Sequence, residues 1–166
     1  MASGAGSNHY QRIGTPAVAL NNAGQASVAW SVLDGQTGLL TRTASGTWSD
    51  TIVTTRSVPA VPVSTAIDRA GNAIAVLGSS YSWHLAGGSW QTAAALPSGS
   101  SGGLAAADPA GTFVYANTAG DAFTFSAGAT SFGTGSGSLG SLGGLKIVPG
   151  KAVMLAVNAV FTEPVS

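Results

Sequence analysis

Thr65-Ala66-Ile67, then Asp68-Arg69-Ala70-Gly71, then Asn72-Ala73-Ile74-Ala75-Val76-Leu77 is the stretch from which the fold follows. Two short apolar runs flank four residues of turn chemistry. An Asp at the first turn position accepts nearby backbone N–H bonds, and a Gly at the fourth tolerates the left-handed conformation, so the chain reverses into a β-hairpin. The unit recurs upstream as Pro16-Ala17-Val18-Ala19-Leu20, Asn21-Asn22-Ala23-Gly24 and Gln25-Ala26-Ser27-Val28-Ala29-Trp30. It recurs downstream as Leu104-Ala105-Ala106-Ala107, Asp108-Pro109-Ala110-Gly111 and Thr112-Phe113-Val114-Tyr115-Ala116. A degenerate copy runs Leu145-Lys146-Ile147-Val148, a shortened turn Pro149-Gly150, and Lys151 to Val157.

Each of the first three hairpins is followed by an extended stretch ending in a small residue and an aromatic: Gly46-Thr47-Trp48, Gly88-Ser89-Trp90 and Thr130-Ser131-Phe132. The aromatics are 42 and 42 residues apart, and the turn glycines Gly24, Gly71, Gly111 and Gly150 are 47, 40 and 39 apart. A further run follows, Thr51–Thr55 in the first unit and Thr92–Leu96 in the second, so a repeat offers about four strands. This pattern over residues 14 to 158 (a Val/Ala-rich strand, a D/N-x-x-G turn, a second strand, then G-x-W) resembles bacterial β-propeller-like repeat proteins. The resemblance implies an all-β fold of antiparallel four-stranded units, three full repeats plus a half repeat. Some fourteen strands result, whereas closed propellers take four to eight blades. A β-sandwich or barrel is the alternative. The half repeat is completed by a strand from His9–Ile13 or by a second chain sharing a larger ring.

At 166 residues the chain suits one domain, read as a flexible segment over 1–13 and a single repeat domain over 14–166. Only 7% of residues are charged, and six Lys and Arg balance six Asp and Glu, which leaves no excess charge to grip phosphates. Nucleic acid is excluded as a partner on that ground. No cysteine is present, so disulfides and thiolate metal sites are ruled out. Small polar residues carry solubility, which suits a secreted, periplasmic or cell-surface location. Met1–Ser7 has neither the charged start nor the apolar core of a leader, and no 18-residue apolar run would span a membrane. Ser/Gly runs at 98–103 and 133–144 read as mobile loops.

Two motif matches carry no chemistry. Gly99-Ser100-Ser101-Gly102-Gly103 fits G-x-S-x-G and Gly135 to Gly140 fits G-x-G-x-x-G, but neither precedes an amphipathic helix. Asp68 and Asp108 are turn residues, and hairpin turns equally account for Asp34 and Asp121. No catalytic or metal-ligating set is assigned, and no cofactor is expected. Trp48, Trp90 and Phe132 recur once per unit and are read as packing between adjacent sheets. Aromatics that do not repeat are better placed for function: Trp30, Tyr81, Trp83 and Tyr115. Strand alternation puts Tyr81 and Trp83 on one face and Ser82 and His84 on the other. The expected ligand-binding set is therefore Trp30, Asp34, Tyr81, Trp83 and His84, in a non-enzymatic exported module that recognises a glycan or a protein. A surface-displayed scaffold is the alternative, and a hydrolase joining Asp34, Asp50 or Asp121 to His84 a third reading. The chain is expected as a monomer or a ring-completing homodimer.

Overall fold

The D/N-x-x-G segments close hairpins by the same bonds in each of three repeats. In the computed structural model, which describes residues 14–32, 36–54, 61–97, 101–133, 135, 142–148, 151–156 and 159–164, Gly24, Gly71 and Gly111 have φ of 76°, 93° and 99°. Their N–H groups donate to the carbonyls of Asn21, Asp68 and Asp108 at 3.1, 3.3 and 3.0 Å. The side chains of those three residues accept in turn: Asn21 Oδ1 from the Ala23 and Gln25 amides, Asp68 Oδ1 from the Asn72 amide, and Asp108 Oδ1 from the Ala110 amide. Asn117-Thr118-Ala119-Gly120 is another copy of this turn, with Gly120 at φ 89° donating to Asn117 at 3.0 Å.

Fourteen strands are described, β1 (Ala17–Leu20), β2 (Ala26–Ser31), β3 (Thr37–Arg42), β4 (Trp48–Thr54), β5 (Val63–Ile67), β6 (Ala73–Leu77), β7 (Ser80–His84), β8 (Ala94–Ala95), β9 (Leu104–Ala107), β10 (Thr112–Ala116), β11 (Ala122–Ser126), β12 (Leu142–Val148), β13 (Lys151–Ala156) and β14 (Ala159–Pro164). They form four antiparallel meanders: β1-β2-β3-β4, β5-β6-β7-β8, β9-β10-β11 and β12-β13-β14. No α-helix occurs among the described residues. The first strands of successive sheets touch in the order β1, β5, β9, β12. The molecule is thus an all-β, propeller-like row of blades, as the repeat predicts. The last unit has three strands rather than a half repeat's two: β12 begins within the stretch 133–144 read as a loop, and β14 adds a third strand beyond the half repeat.

Packing between blades differs from one junction to the next. Blades one and two meet through small residues and hydroxyls: Ala29 and Leu39 against Ala73, Ala75, Leu77 and Trp90, with Ser27 and Thr65 hydroxyls 2.7 Å apart. Ser31 Oγ donates to the Val61 carbonyl, and the Ala105 amide donates to Ser64 Oγ, so buried hydroxyls tie blade one to blade two and blade two to blade three. Blades two and three meet through aromatics, with Tyr81, Phe113, Tyr115, Phe123 and Phe125 buried and Phe132 packed against them.

Two expectations are corrected here. Gly102 and Gly103 do not lie in a mobile loop: the Gly102 amide donates to the Gly78 carbonyl, and Gly102's own carbonyl accepts from Tyr115 Oη at 2.6 Å. A Cβ on Gly103, at φ 116°, would stand 2.3 Å from the Ala116 carbonyl oxygen, so this segment is glycine because backbone passes against backbone. The second correction concerns Trp48, read as packing between sheets. It is 51% exposed whereas Trp90 is 9% exposed, because another blade covers the second sheet's face and, among the described residues, none covers the first's.

Candidate functional site

His84 ends β7 on the sheet face opposite Tyr81 and Trp83, as strand alternation predicts. The register pairs Ala73 with His84 and Ile74 with Trp83, and these two rows belong to different cores. Tyr81 is buried in the aromatic core, with Phe132 and Phe125 at ring-centroid distances of 4.7 and 5.8 Å and its hydroxyl donating to the Thr130 carbonyl. Its phenol pKa is raised by burial. Trp83 is half-buried against the same cluster, 6.1 Å from Phe125. Tyr115 is fully buried there too.

Trp30 lies elsewhere. On β2 it pairs with Gly38, whose Cα it covers so closely that a Cβ there would collide with the indole. It sits on the face of the first sheet turned away from blade two. Asp34 lies outside the described residues. Asp121 is bound into the Asn117 turn, accepting from Asn117 Nδ2 at 2.8 Å, and that turn is at the end of the sheets opposite His84. Among the described residues no group of three or more His, Cys, Asp or Glu could hold a metal ion.

Around His84 the two first blades leave a cleft of about 230 Å³. Gln25, Thr41, Arg42 and Ser49 line it from blade one, and Ile67, His84 and the Gly87-Gly88 turn from blade two. Thr41 and Ser49 hydroxyls are 2.7 Å apart, and Arg42 donates one guanidinium N–H to the Gly24 carbonyl. Arg42 and His84 hold the same place in their repeats, one opposite Ala26 and the other opposite Ala73. His84 is 8% exposed and its Nδ1 has no hydrogen-bond partner. Desolvation lowers its pKa, outweighing hydrogen bonding toward the backbone of Gly88 and Gly71, so the ring is neutral at pH 7. The adjacent Trp90, rings 5.4 Å apart, also carries a buried N–H without a partner. Two neighbouring buried polar atoms left unpaired are uncommon in a folded interior.

A larger cleft of about 530 Å³ lies where the three repeated turns come together, lined by Leu20, Asn22, Ile67, Arg69, Ala107 and Pro109 among others. Two of its polar side chains, Asn21 and Asp68, are engaged. Asp68 holds Asn72 through two bonds, and the Asn21 amide donates to Gln25 and to the Asp68 carbonyl. The buried, unpaired nitrogens of His84 and neighbouring Trp90 favour the His84 cleft as the site. Sequence reasoning found His84 but missed Gln25, Thr41, Arg42 and Ser49. The available signal was that Arg42 stands at the repeat position of His84.

No family model matches the sequence, and no curated protein does. Solved structures match in fold. A protein of unknown function from Bacteroides caccae is similar at TM-score 0.60 and 16% identity, over 86% of this chain and 56% of that one. A lectin of Aleuria aurantia is similar in two structures: an N224Q mutant in complex with Fucα1-6GlcNAc, at TM-score 0.48 and 14% identity over 92% of this chain and 64% of that one, and a six-bladed β-propeller described with a novel fucose recognition mode, at 0.46 and 15% over 94% and 65%. The chain spans less than two thirds of the length of each.

Proposed function

We propose that this chain is a non-enzymatic binding module for a neutral, hydroxyl-rich ligand, a glycan, held in the cleft between blades one and two. The observation that carries this reading is His84: a buried neutral imidazole with an unpaired nitrogen, at a cleft lined by an arginine, an amide and two hydroxyls. A sugar hydroxyl both donates and accepts, so it suits a neutral imidazole acceptor beside guanidinium, amide and hydroxyl groups. Ile67 and the glycines Gly87 and Gly88 supply an apolar, unobstructed wall for the C–H face of a sugar ring. The balanced net charge favours an uncharged ligand over an anionic one. The accompanying expectation of an exported protein belongs to this reading.

A glycan array followed by calorimetry on the best hit tests it. Arg42→Ala and Thr41→Val should each weaken binding by about tenfold, the equivalent of one hydrogen bond of about 1.4 kcal/mol, with circular dichroism unchanged. An array without hits for folded protein, or hits that both variants bind normally, would sink the glycan reading.

A further inference from the structure

The first sheet has two faces of unequal fate. Alternation and register put Ala17, Ala19, Ser27, Ala29 and Leu39 on the face packed against blade two. The opposite face carries Val18, Leu20, Val28, Trp30, Leu40 and Trp48, with Arg42 and Asp50 among them. Val18 is 59% exposed, Leu20 70% and Trp48 51%. A largely apolar surface of this kind, with only Arg42 and Asp50 charged among the residues named, marks an interaction site more often than chance.

The repeat itself says what belongs on it. Aligning the turns makes Val18 the counterpart of Thr65, Leu20 of Ile67, Val28 of Ala75, Trp30 of Leu77 and Trp48 of Trp90. In blade two those positions are the interface: Thr65 bonds Ser27, and Ala75, Leu77 and Trp90 pack on Ala29 and Leu39 of the preceding blade. In blade three the same position holds Phe132, packed on the core of blade two. The exposed face of blade one is therefore shaped to receive a blade. The row supplies one, since contact runs from β1 through β5 and β9 to β12 and leaves the β12–β14 sheet at its far end.

We propose that this face docks the terminal blade of a second copy of the chain. Such a contact is heterologous, joining one end of a row to the other end of its partner, and two such contacts close a pair. Two rows of four blades make a ring of eight, within the range that propellers adopt. This inference does not rest on the glycan reading, because the patch lies on the face of blade one turned away from blade two and His84; Arg42 stands in that face between Ala26 and Trp48, so its variants are left out of the test.

Light scattering on the 166-residue chain over a concentration series tests it, together with hydroxyl-radical footprinting of Trp48 read by mass spectrometry. The expected result is a dimer in which Trp48 gains protection as concentration rises. Val18→Asp or Leu20→Asp should weaken the dimer by at least about tenfold, since either buries an unpaired carboxylate, while leaving circular dichroism unchanged. Leu85→Asp, which alters a 40% exposed leucine off this face, should leave the dimer intact. A monomeric mass with Trp48 accessible overturns the proposal. So does a monomer with Trp48 protected, which would mean that the chain's own residues cover the face, and so does a dimer equally sensitive to Leu85→Asp.

Discussion

His84 is the residue whose chemistry depends most on burial. Its sequence context, Tyr81-Ser82-Trp83-His84, discloses the alternation but not that the ring would be nine-tenths buried with Nδ1 unpaired. Because desolvation depresses its pKa in the folded state, the unfolded chain binds a proton that the folded chain refuses. Stability is therefore fully present above about pH 6.5, the unfolded value, and is lost as pH falls from there toward the depressed folded value. Thermal unfolding followed at pH 7.5, 6.0 and 5.0 should show the melting temperature falling on acidification, and His84→Gln should flatten that fall by removing the titrating group. An equal fall in the variant would assign it to other groups. Trp30 and Tyr81 teach the converse lesson. Both look conspicuous as unrepeated aromatics, yet one shields a glycine on an outer face and the other closes a core, so side-chain type alone did not separate packing from binding.

Among elements, the hairpin turn is the unit that local sequence specifies. A side-chain acceptor at its first position and a glycine at its fourth satisfy the turn from within, so Asn21, Asp68 and Asp108 need no tertiary partner to explain them. The same logic extends to Asn117–Gly120, between second and third strands rather than first and second, where a hairpin turn accounts for Asp121. β14 and the start of β12 were not legible, since a Gly/Ser-rich approach and a short tail carry no period-two signal strong enough to mark a strand. Between elements, the junction of blades one and two relies on hydroxyls rather than aromatics. Chemical denaturation of Ser27→Ala, Thr65→Val and the double variant should give a coupling energy of about 1 kcal/mol, the usual net worth of a buried neutral hydrogen bond. Additive single effects would show that the hydroxyl pair does not hold the junction.

At the scale of the whole molecule, position in the row decides what a repeated residue does. Trp48 and Trp90 occupy the same place in their repeats, and among the described residues only the second has a blade over it. Trp90→Ala should cost about 3 to 5 kcal/mol, as large-to-small changes in cores do, whereas Trp48→Ala in the monomer should cost under about 1 kcal/mol. Equilibrium unfolding of both at a dilution where the chain is monomeric checks the asymmetry, and similar losses would contradict it. By itself the sequence determined the repeat, the turns, the antiparallel sheets and the alternation that sends Tyr81 and His84 to opposite faces, because these follow from backbone geometry and bonds spanning four or five residues. The tertiary structure alone decided which repeat positions are covered, which hydroxyls meet across blades and that Arg42 and His84 line one cleft. Those are contacts between residues some forty positions apart, and their outcome depends on how one sheet lies against the next.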